Sequence, residues 1–403
     1  MAQHLRICLI SYEFPPEFGG EGTYTYGLFK SLLKRGHEVV VVTTNNRSVG
    51  NVISVPSLKI SPFKLISFRY FCNKTISSLI NNRGMDIIHF TNDYFEPIIP
   101  HEAKDIPIIL TIHHPFHTEN MRFKHVYGIS LYYLKYWFSR KIPYLKRLNN
   151  RISMLADSII TVSKCTASEI CNLNKRAEKK ITIIPNAVDT ERFNPDIDIS
   201  DLKIRIGLKS QKNILFVGRL DYTKGIIHLI KAFKKLVETS NDDLSLLIAG
   251  SGPLERFIIA FIEKNSLKGK VLLLGKVTDN DIPALYNLSD IVVLPSIIEG
   301  FGIVLLEAMA TGKTCIATKA CGTEEVVVDT ETGVLVPCFD IEALFKALQS
   351  LISNPEQRLQ YGRAGLKRVN EKFTWEKVVL ATEEVYFKAI EKKRWDQNKQ
   401  GSF

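Results

Sequence analysis

The chain has 403 residues, of which 45% are hydrophobic, 10% aromatic and 24% charged, a length that predicts two or three domains with sizeable cores. That hydrophobic content, with only 23 Gly and 16 Pro, excludes disordered, collagenous and low-complexity chains. The net charge is +11, and residues 1–200 supply +8 of it, with 25 basic against 17 acidic residues.

The first apolar run, 5–12, is short and leads into Glu13-Phe14-Pro15-Pro16 with no small-residue cleavage site, so it reads as a first strand rather than a leader. Short β-branched runs then alternate with helical stretches: RICLIS, a helix over 22–35, HEVVVVTT, DIIHFT, PIILTIH, SIITVS and ITIIPN. This is the pattern of a parallel α/β layout. Asn194-Pro195-Asp196, followed by Asp198, Ser200 and Asp201, forms a polar break that reads as a linker. Beyond it the series restarts with NILFVG, a helix over 225–238, LSLLIAG, VLLLG, DIVVLP, TCIAT and GVLVP. The expected division is therefore 1–195 and 196–380. After Val336 the chain reads as helical, ending in a charged tail from Lys392. No stretch reaches the roughly 18–20 uninterrupted apolar residues of a spanning helix. Seven cysteines without a C-x-x-C fit a reduced protein, and the expected location is cytoplasmic.

Two Rossmann-like halves bind ligands at the carboxyl ends of their strands, so function is sought in the loops that follow strands. In PSIIEGFGIVLLEAMATG (295–312) a strand gives way to Glu299-Gly300-Phe301-Gly302 and a helix beginning near Ile303. Glycines let backbone approach a ligand, and free amides at the helix start make an anion seat. Glu299 and Glu307, in an E-x7-E spacing, place carboxylates in the loop and about one turn into the helix. Such acceptors suit sugar or ribose hydroxyls. In FVGRLDYTKG (216–225), Arg219 and Lys224 follow a strand and together can neutralise a diphosphate. LLIAGSGP (246–253) adds a Gly-x-Gly turn, weak by itself.

These segments, with GGEGTYTYGLFKSLLKRGHEVVVVTT, TIHH and IIPNAVDTERF, resemble the retaining glycosyltransferases of family 4 in order and spacing over nearly the whole chain. The resemblance implies the GT-B fold, two Rossmann-like domains facing each other across a cleft, with 381–403 crossing back to the first. It also implies no cofactor or metal, and a UDP-, GDP- or ADP-hexose as donor. By it, Glu299 holds donor-sugar hydroxyls, Glu307 the ribose, and Arg219 and Lys224 the diphosphate. Gly19 and Gly20 let the N-terminal loop close over the phosphates, and His113 sits beside the reacting carbon. Gly218, Gly250, Val277, Gly300, Phe301, Gly302, Ile303 and Val304 complete the implied donor site. After the strand at 315–318 the family writes G-G-x-P-E where this chain has Cys321-Gly322-Thr323-Glu324-Glu325, a departure that bears on donor choice.

Other patterns compete. Gly312-Lys313-Thr314 lacks the upstream Walker glycine and follows a helix, and Tyr70-x-x-x-Lys74 has no G-x-G-x-x-G after the first strand to support a nicotinamide enzyme. His113-x-x-x-His117 has Pro115 between its members, which argues against zinc. Asp196-Ile197-Asp198 and Asp279-Asn280-Asp281 do not follow strands as a cation site requires, and the second is expected to cap a helix from Ile282. The rival from another class is a protein of the same fold that binds a nucleotide sugar without transferring it. A nucleotide-sugar epimerase shares the fold but lacks the E-x7-E pattern.

For the acceptor, two acid-free windows interleave bases and rings: 58–83, and 120–151 with eight bases and eight aromatics. Such composition suits an anionic bilayer surface. The expected acceptor is therefore glycan or lipid-linked, at the cytoplasmic membrane face. Nucleic acid is not expected, because no binding module accompanies the charge.

Overall fold

The computed structural model describes residues 4–15, 19–44, 50–57, 63–92, 100–114 and 155–400. They form two compact units, Met1–Asn186 with Trp375–Phe403, and Ala187–Thr374.

The first unit holds a seven-stranded sheet: β1 (Arg6–Ile10), β2 (Glu38–Thr43), β3 (Val52–Ser54), β4 (Ile87–Phe90), β5 (Ile108–Ile112), β6 (Ser158–Thr161) and β7 (Ile181–Ile183). The order is β3-β2-β1-β4-β5-β6-β7 with every pairing parallel. Strands such as EVVVVT and IILTI are apolar on both faces because helices cover both, as a parallel sheet demands. The helix Phe63–Arg83 buries Phe68, Cys72, Ile76 and Leu79 on one stripe, and these join Cys8, Val40 and Ile88 in one core. Fully burying a side chain such as Phe68 contributes about 1.5–3 kcal/mol.

The last helix, Trp375–Gln400, belongs to this unit. Trp375 lies against Gly27 of the helix Gly20–Lys34, where a Cβ would come within 1.9 Å of the indole, so a larger residue would have to displace the ring. Glu383 accepts from Arg35 Nε at 2.8 Å and from His37 Nε2 at 2.9 Å, and Tyr386 OH lies 2.6 Å from His89 Nδ1. The charged segment from Lys392 is the last part of this helix, which continues to Gln400.

The second unit carries β8 (Lys212–Val217), β9 (Leu244–Ala249), β10 (Val271–Gly275), β11 (Ile291–Leu294), β12 (Thr314–Thr318) and β13 (Gly333–Val336), ordered β10-β9-β8-β11-β12-β13 and all parallel. In each sheet the order reverses beside the first strand of the unit, between β1 and β4 and between β8 and β11. These are the switch points at which open α/β sheets take ligands.

The units divide at Asn186 and Ala187 rather than at Pro195, and again at Thr374 rather than 380. Packing explains both shifts. Val188 bridges to Thr374, and Phe193 meets Tyr286 edge-on at 5.8 Å, which ties 187–195 to the second unit ahead of the polar break. Trp375 is seated on Gly27, so the return begins before 381. Asp281 stands at the start of the helix Ile282–Leu288, but its side chain does not cap that helix. Its carboxylate accepts instead from Arg205 and Thr278.

Candidate functional site

In the second unit three strand-end loops are locked together through main chain. The Gly218 amide donates to the Ala249 carbonyl at 3.0 Å and the Gly250 amide to the Gly275 carbonyl at 2.7 Å. A Cβ on Gly250, which has φ +136, would lie 1.9 Å from the Gly218 carbonyl oxygen. Gly225 is left-handed at φ +65, and a Cβ there would lie 1.8 Å from the Pro295 carbonyl oxygen. The Ile297 amide donates to the Thr223 carbonyl at 2.7 Å, completing the seam between the loops after β8 and β11.

This seam brings Lys224 and Glu299 together. Lys224 Nζ donates to Glu299 Oε2 at 2.7 Å, and Ser296 Oγ donates to the same oxygen at 3.0 Å. Asp221 is buried and accepts from the Thr223 and Lys224 amides, fixing the turn that carries Lys224. Arg219 pairs with Asp221 on the same loop, and its side chain is 71% exposed.

Beyond Glu299, Gly302 is left-handed at φ +96 and starts the helix Ile303–Ala310. Ile303, Val304 and Glu307 are partly exposed, whereas Leu305, Leu306 and Ala308 are buried. Glu307 Oε2 accepts from Tyr286 OH at 2.6 Å. Burial pushes its carboxyl up to about 7, against the Tyr286 hydrogen bond and the nearby Arg192 guanidinium, which favour ionisation. Arg192 is oriented by stacking on Phe193 and by donating to the Asp279 carbonyl at 2.5 Å. Sequence reasoning named neither Tyr286 nor Arg192. Both act on Glu307 through packing between distant segments, and no local motif announces either.

The other expected donor residues separate by what they expose. Phe301 is buried edge-on against Phe373 at 5.7 Å, so its ring belongs to the core and only its main chain is offered to a ligand. The Gly300 carbonyl abuts Gly322, where a Cβ would lie 2.0 Å away. The atypical 321–325 segment therefore keeps a required glycine against the Glu299 loop. Val277 follows β10 and is partly exposed.

In the first unit His113 follows β5 and is buried. Its Nε2 lies 3.0 Å from the Thr91 carbonyl, which can only accept, so Nε2 carries the proton and Nδ1 is an acceptor. Burial, with a smaller repulsion from His114, lowers its pKa to about 3. Tyr24 meets the ring edge-on at 4.7 Å. Gly19 caps the helix Gly20–Lys34, and its amide donates to Glu13 Oε2 at 2.8 Å, so a carboxylate occupies the anion position of that helix start. Gly20 is exposed beside it.

The competing motifs resolve locally. Lys313 is largely buried and donates to the Asn287 carbonyl at 2.9 Å, and Thr314 opens β12, so that tripeptide is not a phosphate loop. Lys74 lies over the Tyr70 ring at 5.4 Å on a helix surface. His117 and the 120–151 window lie outside the described residues.

Residues 18–192 match the family model described as Glycosyltransferase Family 4, and residues 199–368 match that of Glycosyl transferases group 1. An uncharacterised glycosyltransferase of Methanocaldococcus jannaschii is 29% identical, the alignment covering 96% of this chain and 99% of the relative. Sucrose-phosphate synthase of Thermosynechococcus elongatus superposes with a TM-score of 0.77 at 23% identity, over 96% of this chain and 99% of that one. Anabaena HepE in complex with UDP-glucose gives 0.71 at 18% identity, over 95% and 98%. The two parallel sheets with their helices are those of the GT-B fold.

Proposed function

The chain belongs to the glycosyltransferases of group 1 and family 4, a hexosyltransferase using nucleotide sugars, and on that premise we propose retention at the anomeric carbon, without a metal ion, and a glycan or lipid-linked acceptor. The observation that carries this reading is the Lys224–Glu299 pair at the second switch point, with Arg219 on the same loop and Glu307 one turn into the adjoining helix.

The leaving diphosphate gains negative charge as the bond to the sugar breaks. Arg219, Lys224 and the amides at the start of Ile303–Ala310 meet that charge as fixed dipoles and cations. Glu299 accepts from sugar hydroxyls and Glu307 from the ribose. A neutral His113 offers Nδ1 as an acceptor to a sugar hydroxyl and is not a nucleophile. No side chain is assigned as base, since the leaving phosphate can take the acceptor proton. The two D-x-D candidates support metal independence. Arg205 and Thr278 occupy Asp281, and Asp198 accepts from the Ser200 amide at 2.9 Å.

That HepE is held with UDP-glucose supports a nucleoside diphosphate sugar as donor. The helix Phe63–Arg83 contains no acidic residue and exposes Tyr70, Phe71 and Lys74, which supports attachment to an anionic cytoplasmic membrane face. No helix of the described residues is long and apolar enough to cross a membrane. Vesicle sedimentation checks the attachment. Binding should need anionic lipid, weaken with salt and fall when Lys64, Arg69 and Lys74 become Gln.

The test of the activity is a screen of UDP-, GDP- and ADP-hexoses for release of the nucleoside diphosphate, with and without excess EDTA. Release by one of them, undiminished by EDTA, is expected. Activity lost to EDTA and restored by Mn²⁺ would remove the metal-free mechanism. The absence of release from any sugar would favour a protein that binds without transferring.

A further inference from the structure

At the carboxyl ends of β1 and β4 the first unit buries a group of small polar side chains. Ser11, Thr25 and Thr91 are fully buried. Thr25 Oγ1 lies 3.1 Å from Ser11 Oγ and 2.7 Å from Thr91 Oγ1, and Thr91 Oγ1 donates to the Ile10 carbonyl at 3.1 Å. The Thr91 carbonyl receives His113 Nε2. Asn92, the next residue, breaks this pattern of internal pairing. It is 1% exposed, and neither Oδ1 nor Nδ2 has a hydrogen-bond partner among the described residues.

A buried amide that meets no partner is a cost the fold would shed with an apolar residue, and such groups in native proteins call for an explanation. The place supplies one. Asn92 lies two residues past β4, at the reversal of strand order where open α/β sheets take ligands, and beside the residue that orients His113. The chemistry narrows the ligand. An uncharged amide offers one acceptor oxygen and two N–H donors, the complement of neighbouring hydroxyls, whereas a phosphate calls for cations. Cations and carboxylates for the diphosphate and ribose stand in the second unit as Arg219, Lys224 and Glu307. The first unit's neutral amide is thus matched to the other substrate.

We propose that Asn92 is a substrate-binding residue whose amide hydrogen-bonds hydroxyl groups of the acceptor sugar. The proposal rests on the transferase reading above and names a specificity determinant within it, since a site that leaves an amide unpaired discriminates against an acceptor lacking the matching hydroxyl.

Wild type, Asn92→Ala and Asn92→Ser are compared in three measurements. These are thermal unfolding without ligand, release of nucleoside diphosphate from the preferred nucleotide sugar in water alone, and the acceleration of that release by p-nitrophenyl hexosides of glucose, galactose, mannose and N-acetylglucosamine. Asn92→Ala should unfold at the same or a higher temperature, because the amide it removes has no hydrogen-bond partner among the described residues. It should hydrolyse the donor within about twofold of wild type, while the hexoside KM rises ~10-fold or more. Asn92→Ser, which keeps one hydroxyl, should recover part of that loss. A lower unfolding temperature for Asn92→Ala would reveal a structural partner and overturn the proposal. So would unchanged acceleration, or a wild type that no hexoside accelerates. Should the donor KM in water rise instead, the amide serves the transferred sugar and the acceptor assignment falls. Failure of the wild type to release nucleoside diphosphate from any sugar would remove the transferase reading, and the proposal with it.

Discussion

The two switch points are built from opposite chemistry on the same frame. In the second unit the groups beyond β8 and β11 are charged and already paired, Lys224 with Glu299 and Arg219 with Asp221. In the first, Ser11, Thr91, Asn92 and His113, just past β1, β4 and β5, are neutral and buried, with His113 held uncharged and Asn92 without a partner among the described residues, while the Glu13 carboxylate farther along is engaged at the start of Gly20–Lys34. A charged ligand can exchange partners with preformed ion pairs at small reorganisation cost, because the charges are never left bare. Neutral buried groups are suited to hydroxyls, where shape and hydrogen-bond count decide. On the proposed reading, two Rossmann-like sheets are specialised by the residues at their strand ends.

The largest break in this comparison comes from the frame. Gly225→Val adds a Cβ against the Pro295 carbonyl at a left-handed position, and should cost more than ~2 kcal/mol and shift the seam that joins Lys224 to Glu299. Gly27→Val in the first unit meets the Trp375 ring first, a side chain that can yield, and should cost about 1–3 kcal/mol. Denaturant midpoints rank the two. Glu299→Gln keeps the shape of the pair and removes its charge, and should slow nucleoside diphosphate release ~10 to 100-fold with little change in unfolding midpoint.

A smaller effect is read from pH. Burial pushes the Glu307 carboxyl up to about 7, and in the proposed ribose role the ionised form accepts from two hydroxyls better than the protonated one, which must itself donate. The donor KM should therefore fall as pH rises through 7, and Glu307→Gln should flatten that dependence. The linkage to stability runs the other way. A carboxyl raised above its usual range favours the folded state while protonated, so its contribution is full below about 4.5 and is lost as pH rises toward 7. His113 should add no inflection between pH 5 and 8, because burial keeps it neutral across that range. A histidine inflection that disappears in His113→Gln would contradict the neutral assignment.

Much of this was legible in the amino-acid sequence, and the remainder was not for physical reasons. Strand runs, the restart after the polar break and the E-x7-E spacing are local signals, and they led to both parallel sheets and to the loop and helix that carry Glu299 and Glu307. Tyr286 and Arg192 tune Glu307 from segments 21 and 115 positions away, and nothing in either segment marks them. Asn92 looks like any polar residue ending a strand, and only its burial distinguishes it. Asp281 had the spacing of a cap, but a long-range arginine competes for its carboxylate. The unit boundary moved for the same reason, since Phe193 and Trp375 are placed by tertiary contacts that composition does not record.

The most direct test of the central claim, that the strand-end loops of the second unit hold the donor diphosphate, is steady-state release of nucleoside diphosphate by Lys224→Ala at saturating and limiting donor. Loss of a charge-assisted hydrogen bond of about 1.5–3 kcal/mol predicts a ~10 to 100-fold fall in kcat/KM for the donor, with the protein still folded. Unchanged kcat and donor KM would contradict the assignment of Lys224, and with it the placement of the diphosphate at this switch point.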